Sequence, residues 1–239
     1  MNQPGTPVVL SPVVARDAWL PARRELLARE KALTKARDEL AALRRQLPMV
    51  RVERDWTFTG PRGRRSLHDL FEGRPQLIVY HFMFAPEWDE GCPSCALVMD
   101  SLAGSLVHLA ARDTAFVAIS RAPLAKLLAY RERMGWTFPW VSSNDSGFNQ
   151  AFQVTLDDAQ REYNYAPAEV MPEHMPRHGE LPGLSVFVQR DGAVCHSYST
   201  YTRGLDGLMG VFNLLDLTPL GRREMPGMPM NWVRQHDEY

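Results

Sequence analysis

The sequence contains little cysteine. Its 239 residues include 3 cysteines, an odd number that is too small for a disulfide scaffold. An excess of one charge is also missing, because 27 basic residues nearly balance 28 acidic ones and leave a formal net charge of -1. A nucleic-acid-binding surface needs a basic excess on one face, so no nucleic-acid partner is expected.

Long hydrophobic runs are missing as well. No apolar run approaches the roughly 20 residues that cross a bilayer, so no membrane partner is expected. The first residues, MNQPGTPVVLSPVVARDAW, show no charged segment followed by an apolar one and predict no secretory signal. The resulting expectation is a cytoplasmic location. In that reducing compartment, a close pair of cysteines is more often catalytic or metal-binding than structural.

The segment 15–47 predicts a long amphipathic helix, rich in Ala, Leu, Arg and Glu and stopped by Pro48. Leucines recur at every seventh position, at Leu26, Leu33, Leu40 and Leu47. Arg29 interrupts the neighbouring track, which a coiled-coil seam needs to be apolar throughout. We therefore predict a helix packed on the domain or on a second subunit, rather than a free coiled coil. The second arrangement would be a homodimer through this N-terminal helix.

Apolar strands alternate with helical segments along the rest of the chain. The expected elements are strands at 77–84 (LIVYHFMF), at 114–120 (TAFVAIS) and at FPWVSS, helices at 96–111 and 124–134, a β-hairpin with arms Leu184–Val188 and Ala193–Tyr201 around Asp191-Gly192, and a last helix Leu205–Leu215. Helical crossovers imply parallel strands and the hairpin adds antiparallel ones, so an α/β domain with a mixed central sheet flanked by helices is predicted. This order is the one that a thioredoxin-like fold needs.

We divide the chain into three parts on this basis. Residues 1–49 form an N-terminal tail and the long amphipathic helix, and residues 50–220 form the thioredoxin-like domain. Residues 221–239 are a Pro/Met-rich C-terminal tail that is expected to pack on the domain.

Cys92 and Cys95 form a Cys-x-x-Cys motif, CPSC, where a predicted strand gives way to a helix. Unpaired backbone N–H groups and the positive end of the helix dipole favour the thiolate at Cys92. Cys95 lies one helical turn further on and on the same face. The motif predicts a redox-active disulfide and no other cofactor. Cys92 would be the nucleophile and Cys95 the resolving thiol of a thiol–disulfide oxidoreductase.

Two residues are candidates for substrate binding, and the expected partner is a protein or small-molecule disulfide or thiol. Trp88 would shield the thiol surface, although packing is the more common role of Trp. Pro182, just before GLSVF, stands near the place where thioredoxins carry a proline beside the dithiol. It would present a cis peptide and an open strand edge, unless it is an ordinary trans loop proline. Asp89 and Glu90 are expected to raise the thiol pKa values and to oppose the helix dipole.

An alternative function binds copper or zinc through the same two cysteines. His81 or His196 would add imidazole ligands, because thiolates and imidazole together suit these metals. For His81 the competing interpretation is a hydrogen-bonded core histidine. A zinc site with four cysteines is excluded within one chain, since no second Cys-x-x-Cys is present.

A further alternative treats the fold as a binding scaffold. In that case the irregular stretch 143–182 would line a pocket with Tyr163, Asn164 and Tyr165. This interpretation rests on the fold alone.

Three long stretches carry a family resemblance: LIVYHFMF…WDEGCPSC, HLAARDTAFVAISRAPLAKLLAYRERMGWTFPWVSS and HSYSTYTRGLDGLMGVFNLLDLTPLGR. They resemble the bacterial thioredoxin-like family catalogued as domain-of-unknown-function family 899. The resemblance covers nearly the whole chain, from the N-terminal helix to the WVRQHDEY tail. It implies a thioredoxin-like fold and a predicted dithiol-disulfide oxidoreductase activity, with the family's Cys-x-x-Cys falling on Cys92 and Cys95.

The stretch WTFTGPRGRRSLHDLFEGRPQLIVYHFMF is also similar to the start of peroxiredoxins. Those enzymes carry a proline seven residues, and a threonine or serine three residues, before the peroxidatic cysteine. Counting back from Cys92 gives Ala85 and Asp89, and counting back from Cys95 gives Trp88 and Cys92. The hydroxyl that would polarise a bound peroxide is missing in both cases, so a peroxidase of that type is not predicted.

Overall fold

The structure, a computed structural model, describes residues 10–144, 146–171, 175–227 and 229–239. Its α-helices are α1 (Arg16–Gln46), α2 (Pro93–Leu102), α3 (Leu106–Ala110), α4 (Leu124–Arg133), α5 (Phe148–Ala151) and α6 (Gly210–Leu215). Short 3₁₀ segments cover His68–Phe71, Ala103–Ser105, Ala168–Val170, Thr202–Leu208 and His236–Glu238.

The strands are β1 (Val50–Arg51), β2 (Thr57–Gly60), β3 (Gly63–Ser66), β4 (Gln76–His81), β5 (Thr114–Ser120), β6 (Trp140–Ser142), β7 (Thr155–Leu156), β8 (Glu162–Tyr163), β9 (Ala166–Pro167), β10 (Gly179–Glu180), β11 (Gly183–Arg190) and β12 (Ala193–Tyr201). Eight of them form one sheet in the order β1-β12-β11-β4-β5-β6-β2-β3. β4 runs parallel to β5, and β5 parallel to β6, while β11 is antiparallel to both β4 and β12. The mixed sheet and its β4-α2-β5-α4-β6 crossovers, followed by the β11-β12 hairpin, confirm the predicted thioredoxin-like fold.

Side-chain alternation along β4 divides the core into two faces. Ile78 and Tyr80 point to the side covered by α2 and α4, which we call the cysteine face. Val79 and His81 point to the other side, which we call the histidine face and which Phe148 helps to cover. Tyr80 and His81, the last two residues of β4, therefore pack in different cores.

The predicted strand 77–84 and helix 96–111 both have other boundaries in the structure. β4 ends at His81, because the next residues turn away with Phe82 packed beneath the CPSC loop. The helical segment begins earlier, at Pro93, and a 3₁₀ turn at Ala103–Ser105 interrupts it. This turn contains Gly104, a residue type with poor helix propensity.

One apolar helical stretch, Pro93–Ala110, is nevertheless long and apolar enough to cross a bilayer, with a mean hydropathy of 1.2 over 18 residues. This departs from the expectation that no run approaches such a length. Length and composition alone are weak evidence for a membrane span, because core helices have the same character. Here Cys95, Ala96 and Met99 are buried against the cysteine face.

The long helix α1 does not pack on the domain, which was the first of the two predicted arrangements. None of the residues Arg16–Gln46 is buried. Leu26, Leu33 and Leu40 are 52%, 54% and 47% exposed, respectively. A stacking contact of Arg44 over the Tyr198 ring, at 5.3 Å from its centroid, ties the end of α1 to β12.

Candidate active site

Cys92 lies where the chain enters α2. Its N–H donates to Met83 O at 3.0 Å, and its own carbonyl accepts the N–H of Ala96 at 3.0 Å, which is the first hydrogen bond of the helix. Pro93 then occupies the first helical position, where a missing N–H costs nothing. Gly91 precedes the motif because a Cβ there would stand 2.6 Å from the Phe82 ring. Local sequence therefore fixes the loop that presents the thiol.

Cys95 stands one turn further along α2, facing back toward the end of β4. Its side chain is buried, whereas that of Cys92 is half-buried, and both carry free thiols. The Sγ of Cys95 accepts the N–H of Met83 at 3.5 Å. The same residue, Met83, thus contacts both members of the motif and sets their relative position.

The two thiols have pKa values shifted in opposite directions. The pKa of Cys92 is lowered to about 7, chiefly by the hydrogen bond from the Cys95 thiol, and also by the backbone N–H groups of Cys95 and Ser94, against the effect of burial. The pKa of Cys95 is raised well above its usual range, chiefly by burial and then by its hydrogen bond to Cys92. One thiol is therefore charged near neutral pH while the other keeps its proton.

One of the two acidic residues beside the motif has a basic partner. Glu90 forms an ion pair with Arg133, which also binds Asp237 at 2.7 Å and Glu238 at 3.4 Å. Glu90 thus shares one guanidinium with two carboxylates of the C-terminal tail. The expectation was a raised pKa for both thiols: the pKa of Cys95 is raised, chiefly by burial, whereas that of Cys92 is lowered, chiefly by its hydrogen bond with Cys95.

The C-terminal tail reaches the same loop. Gln235 Nε2 donates to Gly91 O at 2.8 Å from a buried position, and His236 Nδ1 lies 2.8 Å from Asp100 Oδ1 on α2. Val233 is buried as well. The last residues of the chain thus brace the segment that carries the dithiol.

Tyr80 is a site residue that sequence reasoning missed. It is buried at the end of β4, and its hydroxyl makes a hydrogen bond with Cys95 that lowers the pKa of that thiol. Burial raises the pKa of Tyr80 itself, so its hydroxyl stays protonated. The alternation of side chains along a strand could have indicated it. Tyr80 and His81 are neighbours in the strand and must face opposite sides of the sheet, so only one of them can face the helix that carries the cysteines.

A cavity of about 700 Å³ opens beside the dithiol. Its wall includes both cysteines together with Tyr80, Tyr163, Asn164 and Pro182. Most of the other residues on the wall are apolar: Met83, Val98, Ala166, Val170, Met171, Met175, Pro176, Leu181, Leu205, Met209, Phe212, Pro229 and Met230. Volumes of this size accommodate small organic ligands.

The two predicted substrate-binding residues lie in different places. Pro182 is on the cavity wall, follows a trans peptide bond, and its carbonyl accepts the Tyr163 hydroxyl at 2.7 Å. Trp88 is not among the described residues of that wall. It packs against the apolar core of the cysteine face, and its carbonyl accepts Lys126 Nζ at 2.8 Å.

The histidines of the alternative metal site lie on the opposite face of the sheet. His81 Nε2 is 2.8 Å from Ser185 Oγ, and His196 Nε2 is 2.7 Å from Ser199 Oγ. Among the residues that the structure describes, no three or more His, Cys, Asp or Glu side chains converge as a metal site would require. The predicted set of Cys92, Cys95, His81 and His196 is thereby corrected, since strand alternation turns His81 away from the thiols.

Comparison with known proteins identifies the family. The sequence matches, over residues 8–239, the family described as "Bacterial protein of unknown function (DUF899)". The chain belongs to this family. Among curated proteins, none matches the sequence.

Solved structures with a similar fold include peroxiredoxins. Peroxidoxin BcpB from Mycobacterium tuberculosis is 14% identical, with a TM-score of 0.47, and the match covers 71% of this chain and 96% of that one. A cysteine-to-serine mutant of PrxQ from Xylella fastidiosa is 13% identical, with a TM-score of 0.43 and coverages of 66% and 87%. The hypothetical protein SMc02350 from Sinorhizobium meliloti 1021 is 16% identical, with a TM-score of 0.39 and coverages of 62% and 68%. The likeness says nothing about the activity of this chain.

Proposed function

We propose that this DUF899 protein is a thiol–disulfide oxidoreductase with Cys92 as nucleophile and Cys95 as resolving thiol. The observation that carries the proposal is the opposite shift of the two thiol pKa values on the wall of one cavity. A thiolate attacks a disulfide, whereas a thiol does not, so the lowered pKa assigns the attack to Cys92. The raised pKa of Cys95 keeps that thiol from competing for the substrate.

The reaction proceeds in two exchanges. The thiolate of Cys92 attacks one sulfur of a substrate RS–SR, the substrate S–S bond breaks, and one RS⁻ leaves and takes up a proton. Cys95 then attacks the Sγ of Cys92 in the mixed disulfide, which forms the Cys92–Cys95 bond and releases the second thiol with the Cys95 proton. The substrate gains two electrons and the protein loses two. An external dithiol restores the reduced protein by the reverse exchange.

Hydrogen-bond donors around the Cys95 sulfur support the second exchange. The Tyr80 hydroxyl hydrogen-bonds Cys95 and stabilises the anion that forms when this thiol loses its proton. The backbone N–H of Met83 points at the same sulfur. Tyr80 is buried, so water competes little for its hydroxyl.

Differential alkylation with mass spectrometry tests the proposal. Native, reduced protein should react with iodoacetamide at Cys92 first, with a rate that rises with pH and is half-maximal near pH 7. Cys195, the half-buried thiol on β12, is the internal control. Mild oxidation should remove two thiols per chain without forming covalent dimers. Equal rates at Cys92 and Cys195 would overturn the proposal.

We also propose that α1 joins two copies of the chain. The helix is 31 residues long, none of them is buried, and the leucine face repeats over successive heptads. Leu33→Glu should lower the molar mass measured by light scattering, whereas Lys35→Glu, on the opposite side of the helix, should leave it unchanged. A wild-type protein that is monomeric at all concentrations would refute the dimer. The cytoplasmic location stays a prediction of the sequence.

A further inference from the structure

The cavity beside the dithiol has an apolar wall of a particular kind. Five methionines contribute to it: Met83, Met171, Met175, Met209 and Met230. Methionine is unbranched and polarizable and adapts to varied apolar shapes, as at other surfaces that accept varied apolar partners. They come from four separate parts of the sequence, with only Met171 and Met175 close together, so no single helix or strand accounts for them.

Several of the polar groups on the wall are engaged in hydrogen bonds within the protein. The Tyr163 hydroxyl donates to Pro182 O at 2.7 Å, and the Tyr80 hydroxyl is hydrogen-bonded to Cys95. Glu224 Oε1 accepts the N–H of Met230 at 2.8 Å. A ligand in this space therefore meets apolar side chains over most of its surface.

Both arginines on the wall have carboxylate partners. Arg203 Nε lies 2.6 Å from Asp206 Oδ2, and Arg222 Nη2 lies 2.6 Å from Asp216 Oδ2. Arg222 is also 3.4 Å from Asp206 and stacks over the Phe212 ring at 4.0 Å. Since each arginine has a carboxylate partner, neither offers an unpaired cation to a ligand. A disulfide that carries several carboxylates, such as glutathione disulfide, does not match this wall.

We infer that the substrate of the dithiol is a small, uncharged, apolar organic disulfide that binds in this cavity. The inference rests on the proposed function and adds the substrate class to it. The sulfurs of such a molecule reach the half-buried Cys92 while its two carbon chains occupy the methionine-lined space. The exchange is the one given above, so that RS–SR becomes two RSH while the Cys92–Cys95 bond forms.

A matched pair of substrates tests this inference. Dipropyl disulfide and bis(2-hydroxyethyl) disulfide have nearly the same size, and each terminal methyl of the first is a hydroxyl in the second. The rate at which each disulfide oxidises the reduced protein is divided by the rate at which the same disulfide oxidises dithiothreitol, which corrects for intrinsic reactivity. The normalised ratio is the quotient for dipropyl disulfide divided by the quotient for bis(2-hydroxyethyl) disulfide. We expect the normalised ratio to favour dipropyl disulfide by about tenfold or more, as the burial of two apolar end groups predicts.

Two variants show whether the preference arises in the cavity. Met230→Gln keeps the length of the side chain but makes a half-buried part of the wall polar, and should reduce the normalised ratio several-fold. Met225→Gln makes the same change at a nearby methionine that is 42% exposed and is not among the described wall residues. It should leave the ratio as in the wild type.

The possible outcomes separate the inference from the proposed function. If both disulfides oxidise Cys92 and Cys95 with a normalised ratio near one, thiol exchange stands and the apolar substrate class falls. If insulin, a protein disulfide, is reduced faster than dipropyl disulfide, the ligand is a protein and the inference also falls. If no disulfide removes the two thiols, the proposed function itself fails.

Discussion

The cysteine face and the histidine face of the central sheet both bury titratable side chains, with different results. On the histidine face, His81 and His196 are joined through Ser185 and Ser199 by hydrogen bonds of 2.7 to 2.8 Å, and aromatic rings cover His81. On the cysteine face, two thiols and a tyrosine border a cavity of about 700 Å³. The hydrogen-bonded histidine network adds to the stability of the fold, whereas the thiols border a space in which they can meet a substrate.

The strongest test of this contrast removes the nucleophile. Cys92→Ser should lower the rate of disulfide exchange by about 10³-fold or more, because a hydroxyl is not ionised near neutral pH. Cys95→Ser is the matched variant: it should still attack the substrate but accumulate the mixed disulfide, which is visible by intact-mass spectrometry. Retention of exchange in Cys92→Ser would place the chemistry elsewhere.

The next largest effect concerns pH and the histidine face. Burial lowers the pKa of His81 to about 3, so the folded protein keeps this ring neutral while the unfolded chain protonates it near 6.5. Between pH 6.5 and 3 the unfolded state binds the extra proton, and stability must fall as the pH falls. The slope is up to about 1.4 kcal/mol per pH unit for one proton.

Urea denaturation at several pH values measures this slope. His81→Phe keeps a ring of similar shape without a titrating group, and its stability should depend less on pH by about one proton. If wild type and His81→Phe respond equally between pH 6.5 and 3, the histidine is not buried in neutral form.

A smaller effect follows from breaking the serine chain. Ser185→Ala leaves His81 Nε2 without its partner in a buried position, which should reduce the free energy of unfolding by about 1–3 kcal/mol. Ser197→Ala is the control, since Ser197 is half-buried and donates to Val186 O at 3.1 Å. Alkylation of Cys92 should be unchanged in both variants, and a change in Ser185→Ala would show that the two faces are coupled.

The smallest predicted effect lies on the cysteine face. Tyr80→Phe removes a hydrogen bond that lowers the pKa of Cys95, so that pKa should rise further and the resolving step should slow by about two- to tenfold. Stopped-flow measurement of the release of the second thiol gives this step, and the first release should keep its rate. An unchanged second step would show that Tyr80 has only a packing role.

Much of the fold could be predicted from local patterns. The predicted bounds of β5, Thr114–Ser120, are those of the structure, because a strand buried on both faces is a continuous apolar run between polar residues. The Asp191-Gly192 turn could be predicted because the hairpin needs two residues with positive φ, observed here at 51° and 76°. Both features depend on a few neighbouring residues.

The site was predictable only in its cysteines. Their position before a helix is a local signal, but the cavity is built from residues between Tyr80 and Met230, which the sheet topology brings together. The direction of the Cys92 pKa shift also depends on the folded geometry, because its largest cause is the hydrogen bond from the Cys95 thiol. The predicted metal site was wrong because β4 ends with Tyr80 and His81 on opposite faces of the sheet, and His81 is the one that faces away from the thiols.

Arg133 gathers three carboxylates that come from two distant parts of the chain, Glu90 before the motif and Asp237 with Glu238 in the tail. Such exposed ion pairs weaken as dissolved salt screens them. Raising the ionic strength should therefore loosen the loop that carries the dithiol, even though neither sulfur contacts an ion pair. Chemical labelling at several salt concentrations would reveal how firmly the rest of the molecule holds its reactive loop.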